Sequence, residues 1–191
     1  MVEASVTDKI KRSNEIAAKV PKAKNNDGTF MPVMGLGTFL NLSDNVYDVV
    51  KKAILEDGYR HIDCAKVYNN EEEVGRAIND CIKAGIKRED LYIVSKLWHD
   101  DKNRVAEATD ECLKRLGLDY LDLWMLHWSH RPLLDMDTPE MKILSRPHYL
   151  IWKDMEKLVK DGKVKSIGVS NCTIPCLYDL LAGAEIYPIY N

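Results

Sequence analysis

Apolar positions along this chain follow two rhythms that take turns. The first is helical. Val46, Val49, Val50, Ala53 and Ile54 share one face of a helix that Ser43 caps and Gly58 stops. Val74, Ala77, Ile78, Cys81 and Ile82 line a second helix, stopped by Gly85, and Val105, Ala108, Cys112 and Leu116 line a third, stopped by Gly117. Ile151, Met155, Leu158 and Val159 line a fourth, stopped by Gly162, and Thr173-Ile-Pro175 opens a fifth that Gly183 ends. The second rhythm is a short, nearly continuous apolar run, the mark of a strand buried on both faces. Such runs cover Met34–Phe39, Arg60–Asp63, Leu91–Ser95, Leu121–Leu126 and Ser166–Val169, and Tyr187–Asn191 reads as the start of a sixth.

Helices that end in Gly, each followed by a short link and an apolar run, mark βαβ units and a parallel sheet. Right-handed crossovers put all the helices on one side, as in a barrel. The expected fold is therefore α/β, of the (β/α)8 TIM-barrel type. The chain covers an N-terminal hairpin, about five βα units and the start of a sixth strand. The hairpin is read from the turn Asn25-Asn-Asp-Gly-Thr29 between Val20–Ala23 and Phe30–Val33. Residues 1–19 read as an N-terminal extension whose apolar positions are too sparse for more than a loose helix, and residues 20–191 as one partial barrel domain. The stretch from Trp128 to Pro147 carries three prolines and no periodicity. Loops of that length are commonly lids, and this one leaves the strand end that carries His127.

Composition narrows the partners. A net charge of −3 over 191 residues gives no reason to expect nucleic acid or an anionic membrane. No apolar run approaches the ~20 residues of a membrane span, and the first residues lack the apolar core of a signal peptide. Five scattered cysteines, an odd number, fit reduced thiols in the cytoplasm better than a disulfide framework. Five strands and a stub leave open sheet edges, so self-association through them is expected.

The chemistry gathers on Gly58-Tyr-Arg-His-Ile-Asp-Cys-Ala-Lys-Val-Tyr-Asn-Asn-Glu-Glu-Glu-Val-Gly75. A strand ends on Asp63, a loop delivers Tyr68, and a helix opens at Asn69 or Asn70 with Glu73 in capping-box spacing from Asn70. The Glu71–Glu73 run complements that helix's dipole. Lys96 follows Asp63 by 33 residues and His127 follows Lys96 by 31. A barrel of ~250 residues has about 31 per unit, so the three sit on the exits of consecutive strands. Taken singly, a strand-end Lys is a snorkelling surface charge and a lone His a satisfied core residue. Together, on strands ~4.8 Å apart, Lys96 reaches both Asp63 and the Tyr68 phenol. A phenol beside an ammonium is a better proton donor, suited to a developing alkoxide. His127 can orient a carbonyl. The set reduces carbonyls if a nicotinamide supplies hydride. Gly35-Leu-Gly37-Thr-Phe-Leu40 lacks the third Gly of the Rossmann fingerprint, so a dinucleotide would bind some other way.

Other motifs are weaker. His127-Trp-Ser-His130 lacks a Cys or carboxylate to complete a zinc set, so no metal is expected. Cys172-Thr-Ile-Pro-Cys176 is one residue too long for the redox motif. Ser129 with His127 and His130 lacks the hydrolase elbow.

The sequence resembles the aldo-keto reductases, close to the aldose and aldehyde reductases. The resemblance rests on Gly35-Leu-Gly-Thr-Phe39, Gly58-Tyr-Arg-His-Ile-Asp-Cys-Ala65, Val67-Tyr68, Glu73-Val-Gly75, Ser95-Lys-Leu-Trp98, Leu121-Asp-Leu-Trp-Met-Leu-His-Trp128 and Ile167-Gly-Val-Ser-Asn171. It implies a (β/α)8 barrel that reduces aldehydes and aldoses with NADPH. It implies Asp63, Tyr68, Lys96 and His127 as a catalytic tetrad, with Tyr68 as the acid. Gly37, Thr38, Phe39, Asp63, Ser170 and Asn171 fall where the family holds its cofactor, the last two at the nicotinamide carboxamide. Phe39, Val67, Trp98 and Trp128 fall where it walls the substrate pocket. Phe39 stands where a Trp is common, and Lys66 where a His is common. Family segments that stack on the nicotinamide and bind the adenosine 2′-phosphate have no counterpart here. A second reading therefore stands beside the first: a binding or regulatory relative that keeps the fold without turnover, or an inactive truncated paralogue.

Overall fold

The computed structural model describes residues 5–40, 43–128 and 146–191. The chain opens with helix α1 (Val6–Ala17), then strands β1 (Lys22–Lys24) and β2 (Phe30–Pro32) as an antiparallel hairpin. Alternating units follow: β3 (Gly35–Gly37), α2 (Ser43–Leu55), β4 (His61–Asp63), α3 (Glu71–Ala84), β5 (Tyr92–Leu97), α4 (Val105–Leu116), β6 (Leu121–Leu126), α5 (His148–Lys160), β7 (Val164–Val169) and α6 (Ile174–Leu181). β3 to β7 form one parallel sheet in chain order. The order never reverses, so the sheet is the arc of a barrel, with its helices on the outside.

Register decides which side chains meet. Gly37 pairs with Asp63, Asp63 with Val94, Lys96 with Met125, and Leu126 with Val169. Side chains alternate between the faces of a strand. Lys96 therefore shares a face with Val94 and so with Asp63, and His127 shares it with Met125. That inner face holds a small cluster of Met31, Tyr92, Val94, Leu123 and Met125. The outer face carries the main core, where Ile62, Ile93, Trp124 and Ile167 meet Val50, Ile78, Cys112 and Trp152 of the helices. Below, the hairpin is pinned to β7 by Ser166 Oγ donating to Asp27 Oδ2 at 2.6 Å.

Several details differ from the reading of the sequence. β4 starts at His61, one residue late. β5 runs on from Ser95 through Leu97, and β7 starts two residues before Ser166. Val49 is 39% exposed while Val46 and Val50 are fully buried, so the inner stripe of α2 is narrower than the pattern. The sixth strand is not assigned, but its ladder has begun: Val169 N–H donates to Tyr190 O at 2.9 Å and Ile189 N–H to Ile167 O at 3.0 Å. Residues 1–19 contain a regular helix rather than a loose one. Ser13 of α1 is fully buried and donates to Ile54 O at 2.6 Å. The Arg60 guanidinium donates to Ser13 Oγ, Asn14 Oδ1, Ile54 O and Tyr59 O. Ser43 is the first residue of α2, and the residues just before it are outside those described. Of the lid expected over Trp128 to Pro147, residues 129–145 also lie outside the described residues.

α3 and α4 touch at Gly75. A Cβ there would lie within 2.6 Å of the Leu116 carbonyl carbon, a backbone atom that cannot swing aside. Asn79 Nδ2 ties the same point, donating to Gly75 O at 2.8 Å and Leu116 O at 2.9 Å. Gly75→Ala is expected to destabilise the fold by ~1–3 kcal/mol, as overpacking does. A melting temperature unchanged from the parent would show that the helices can part freely.

Candidate active site

Four elements deliver the inner-face polar groups to one end of the sheet. Asp63 ends β4, Lys96 lies one residue before the end of β5, and His127 follows β6. Tyr68 closes a 3-10 turn over Lys66–Tyr68. Asn69 follows it with a left-handed backbone, φ 53°, which turns the chain into α3. Asn is among the few side chains that tolerate that conformation.

Lys96 is 6% exposed and its ammonium is saturated by three acceptors. It donates to Asp63 Oδ1 at 2.6 Å, Cys64 O at 2.8 Å and Tyr68 Oη at 3.3 Å. The surface-charge reading of this lysine is thereby excluded: a buried cation persists only when paired and hydrogen-bonded. The same ammonium lies 5.0 Å from the Tyr68 ring centroid. Phe39 tilts against that ring at 5.0 Å, and the His127 ring meets it edge-on at 5.9 Å. Trp98 packs edge-on against His127 at 5.2 Å. Val67 is exposed beside Tyr68, and Trp128 is half-buried directly after His127. Asp63, Tyr68, Lys96 and His127 are thus brought together, with Phe39 and Trp98 packed against them. His130, the second imidazole considered for a metal, lies outside the described residues, and among those described no group of His, Cys, Asp or Glu could hold a metal ion.

His127 is 8% exposed, and its Nδ1 has no hydrogen-bond partner among the described residues. Burial, then the Lys96 cation, then His99 pull its pKa down from 6.5 to about 4. The imidazole is therefore neutral at pH 7 and carries one N–H. The unfolded chain takes up this proton near pH 6.5 and the folded one only near pH 4. Stability is full above pH 6.5 and falls as the pH drops towards 4, by about 3 kcal/mol at ~1.4 kcal/mol per pKa unit. His127→Gln is expected to lose correspondingly less stability between pH 7 and pH 4.5 in denaturant titrations. Identical losses in the two proteins would refute the assignment.

The residues placed at a cofactor by resemblance divide into two groups. Gly37, Asp63 and Ser170 border an open cavity of about 410 Å³, with Lys96 and Asn191 on its wall. Asn171 is exposed with a left-handed backbone, φ 54°, and its Nδ2 donates to His127 O and Ser170 Oγ, both at 2.9 Å. Thr38 is fully buried instead, and both its N–H and its hydroxyl donate to Asp63 O at 3.0 Å. It fixes Asp63 rather than facing the cavity. A cleft of about 450 Å³ at the other end of the sheet, between α1 and Arg60, lies far from this set.

The sequence reading missed what holds the Tyr68 turn. Asn70 is the N-cap of α3 but makes no side-chain cap bond, so the capping box with Glu73 does not form. Its Nδ2 donates to Thr38 O at 2.9 Å and ties the turn to the exit of β3. Glu71 is no mere dipole partner either. It is 3% exposed, accepts from Ser95 Oγ at 2.6 Å, and pairs with Arg115 at 2.7 Å. A Glu that lies 44 positions from its cation leaves no local signal.

Comparison with known proteins adds sequence relationship to this geometry. Residues 33–191 match the model of the aldo/keto reductase family. The glycerol 2-dehydrogenase (NADP(+)) of Saccharomyces cerevisiae is 39% identical over 182 residues, covering 87% of this chain and 57% of the relative. A methylglyoxal reductase of Salmonella typhimurium is 43% identical over 166 residues, covering 86% and 54%. The solved aldose reductase of Schistosoma japonicum superposes with a TM-score of 0.79 at 41% identity, over 88% of this chain and 59% of its own. The chain spans a little over half the length of the curated relatives it matches.

Proposed function

Because the chain belongs to the aldo/keto reductase family, we propose that it takes part in NADPH-dependent reduction of small aldehydes or aldoses to alcohols, with Tyr68 as general acid. The observation that carries this reading is the single ammonium of Lys96, held at once by Asp63, Cys64 O and the Tyr68 hydroxyl.

The residues present fit a nicotinamide. The face over Gly37 is open, with nothing within 4 Å of the place a Cβ would take. The cavity it borders is walled by Asp63, Lys96 and Ser170. Gly37, Phe39, Asp63, Ser170 and Asn171 would hold the cofactor, with Thr38 fixing Asp63 from beneath. When bound, NADPH supplies the hydride.

The chain's own residues do the rest. As the carbonyl oxygen gains charge, the Tyr68 hydroxyl donates its proton to it. Lys96 stabilises the phenolate left behind, and Asp63 balances the lysine's charge. Neutral His127 offers its one N–H to the same oxygen and fixes its direction. Phe39, Val67, Trp98 and Trp128 form the apolar wall that such a substrate needs. The names of the relatives, a methylglyoxal reductase and an aldose reductase among them, support the substrate class.

The test follows NADPH absorbance with a reactive aromatic aldehyde. Aldehyde-dependent loss of absorbance is the expected result. Cofactor binding without that loss would replace catalysis with a binding role.

A further inference from the structure

The turn that carries Tyr68 and the loop that carries Trp98 come from different strands, yet one ion pair joins them. Lys66 opens the 3-10 turn that continues into Val67 and Tyr68. Asp101 closes a second 3-10 turn, His99–Asp101, directly after Trp98. Lys66 Nζ lies 2.6 Å from Asp101 Oδ2. The Asp101 backbone is locked to Trp98, its N–H donating to Trp98 O at 3.0 Å, and its carbonyl accepts from Arg104 N–H at 2.9 Å. The Asp101 side chain is 5% exposed, while Lys66 is 38% exposed. Among the described residues, a second cation near Asp101, Arg104 Nε, stands off at 3.7 Å. A buried carboxylate with one close cation holds that cation firmly, because losing it leaves a charge out of water.

We propose that Lys66 and Asp101 clamp these two loops together, so that Lys66 is a positioning residue: it fixes the distance from the Tyr68 turn to the Trp98 wall and thereby selects among carbonyl substrates by size. The selection part rests on the reductase reading above; the clamp itself does not. A bulky aromatic aldehyde needs Trp98 at a fixed distance from the Tyr68 hydroxyl. A small aldehyde such as methylglyoxal makes little use of that wall. The pair therefore acts on KM for the bulky substrate and leaves the proton donor, held separately by Lys96, in place.

Two measurements on the intact protein test this. The first is hydrogen exchange, followed by mass spectrometry, over residues 64–70 and 98–104. Lys66→Met is expected to speed exchange about tenfold in both stretches together, with Lys66→Arg restoring the slow rate. The double variant Lys66→Met with Asp101→Asn removes the orphaned carboxylate and is expected to show the same linked loss in a folded protein. Faster exchange confined to 64–70, or none, overturns the clamp. The second is steady-state kinetics with 4-nitrobenzaldehyde and with methylglyoxal. Lys66→Met is expected to raise KM about tenfold for the former, and for the latter to leave KM and kcat close to the parent values. Linked exchange with both KM values unchanged overturns the selection role. A parent protein without turnover overturns the reductase reading, and exchange alone then decides the clamp.

Discussion

Tyr68→Phe lowers kcat by about 10²–10⁴, the usual contribution of a positioned general acid, and leaves NADPH affinity unchanged. The substitution removes one atom and little else. The ring keeps Phe39 on one side at 5.0 Å and the His127 edge at 5.9 Å. Lys96 keeps Asp63 at 2.6 Å and Cys64 O at 2.8 Å, so its ammonium is not orphaned and the fold has no reason to respond. What disappears is the hydroxyl 3.3 Å from Nζ, the phenol that Lys96 touches. Steady-state kinetics, a fluorescence titration with NADPH and a thermal melt together check the three parts of this expectation. A variant that retained a tenth of the parent kcat would take the acid's role away from Tyr68.

Glu71→Ala strikes stability instead. Arg115 donates to Glu71 through Nε at 2.8 Å and its second nitrogen at 2.7 Å, Ser95 Oγ at 2.6 Å, and the Cys112 thiol at 3.2 Å. One carboxylate thus joins the start of α3, the middle of β5 and α4. Its removal strands a guanidinium and a buried hydroxyl. Breaking a buried pair from one side costs ~3–5 kcal/mol, and because Arg115 is a quarter exposed, the lower end of that range applies. Glu71→Gln keeps an acceptor and the side-chain shape and is expected to fall between the parent and Ala. Urea midpoints converted to free energies give the comparison; a loss below about 1 kcal/mol for Ala would mean that water replaces the carboxylate without difficulty.

The parts of this fold legible in the sequence are those set by short-range rules. Apolar periodicity located α2 to α5 and the five strands of the sheet. Gly85 and Gly117 end α3 and α4 in left-handed backbone as their spacing implied, because only Gly takes that conformation without cost. The spacing of Asp63, Lys96 and His127 placed them on one face, since a repeated βα unit repeats its register. What stayed illegible depends on partners far along the chain. Asn70 looked like a cap and is a cross-link to Thr38, because a side-chain amide takes whichever acceptor the tertiary fold brings near. Lys66 and Asp101 are 35 residues apart, on two loops whose geometry no periodicity describes. β5 runs past its apolar stretch and β7 starts before its own, because Lys96, Lys165 and their neighbours are polar, and polarity reads as a strand end even when the backbone ladder continues.

The sparse apolar pattern makes residues 1–19 look like an appendage, yet Arg60 is tied into their helix. Its guanidinium takes two of its four acceptors, Ser13 Oγ and Asn14 Oδ1, from that helix, and burial lowers its pKa. Three residues later the same chain reaches Asp63. A later start codon, a proteolytic trim or a fusion joined at residue 20 would therefore uncover Arg60 and strip it of two acceptors at the foot of the strand that ends on Asp63. For protein engineering, α1 is kept with the helix and strand it is bonded to. Ser13 and Asn14 are thereby bound to Arg60, and a substitution at any of the three is felt by the other two.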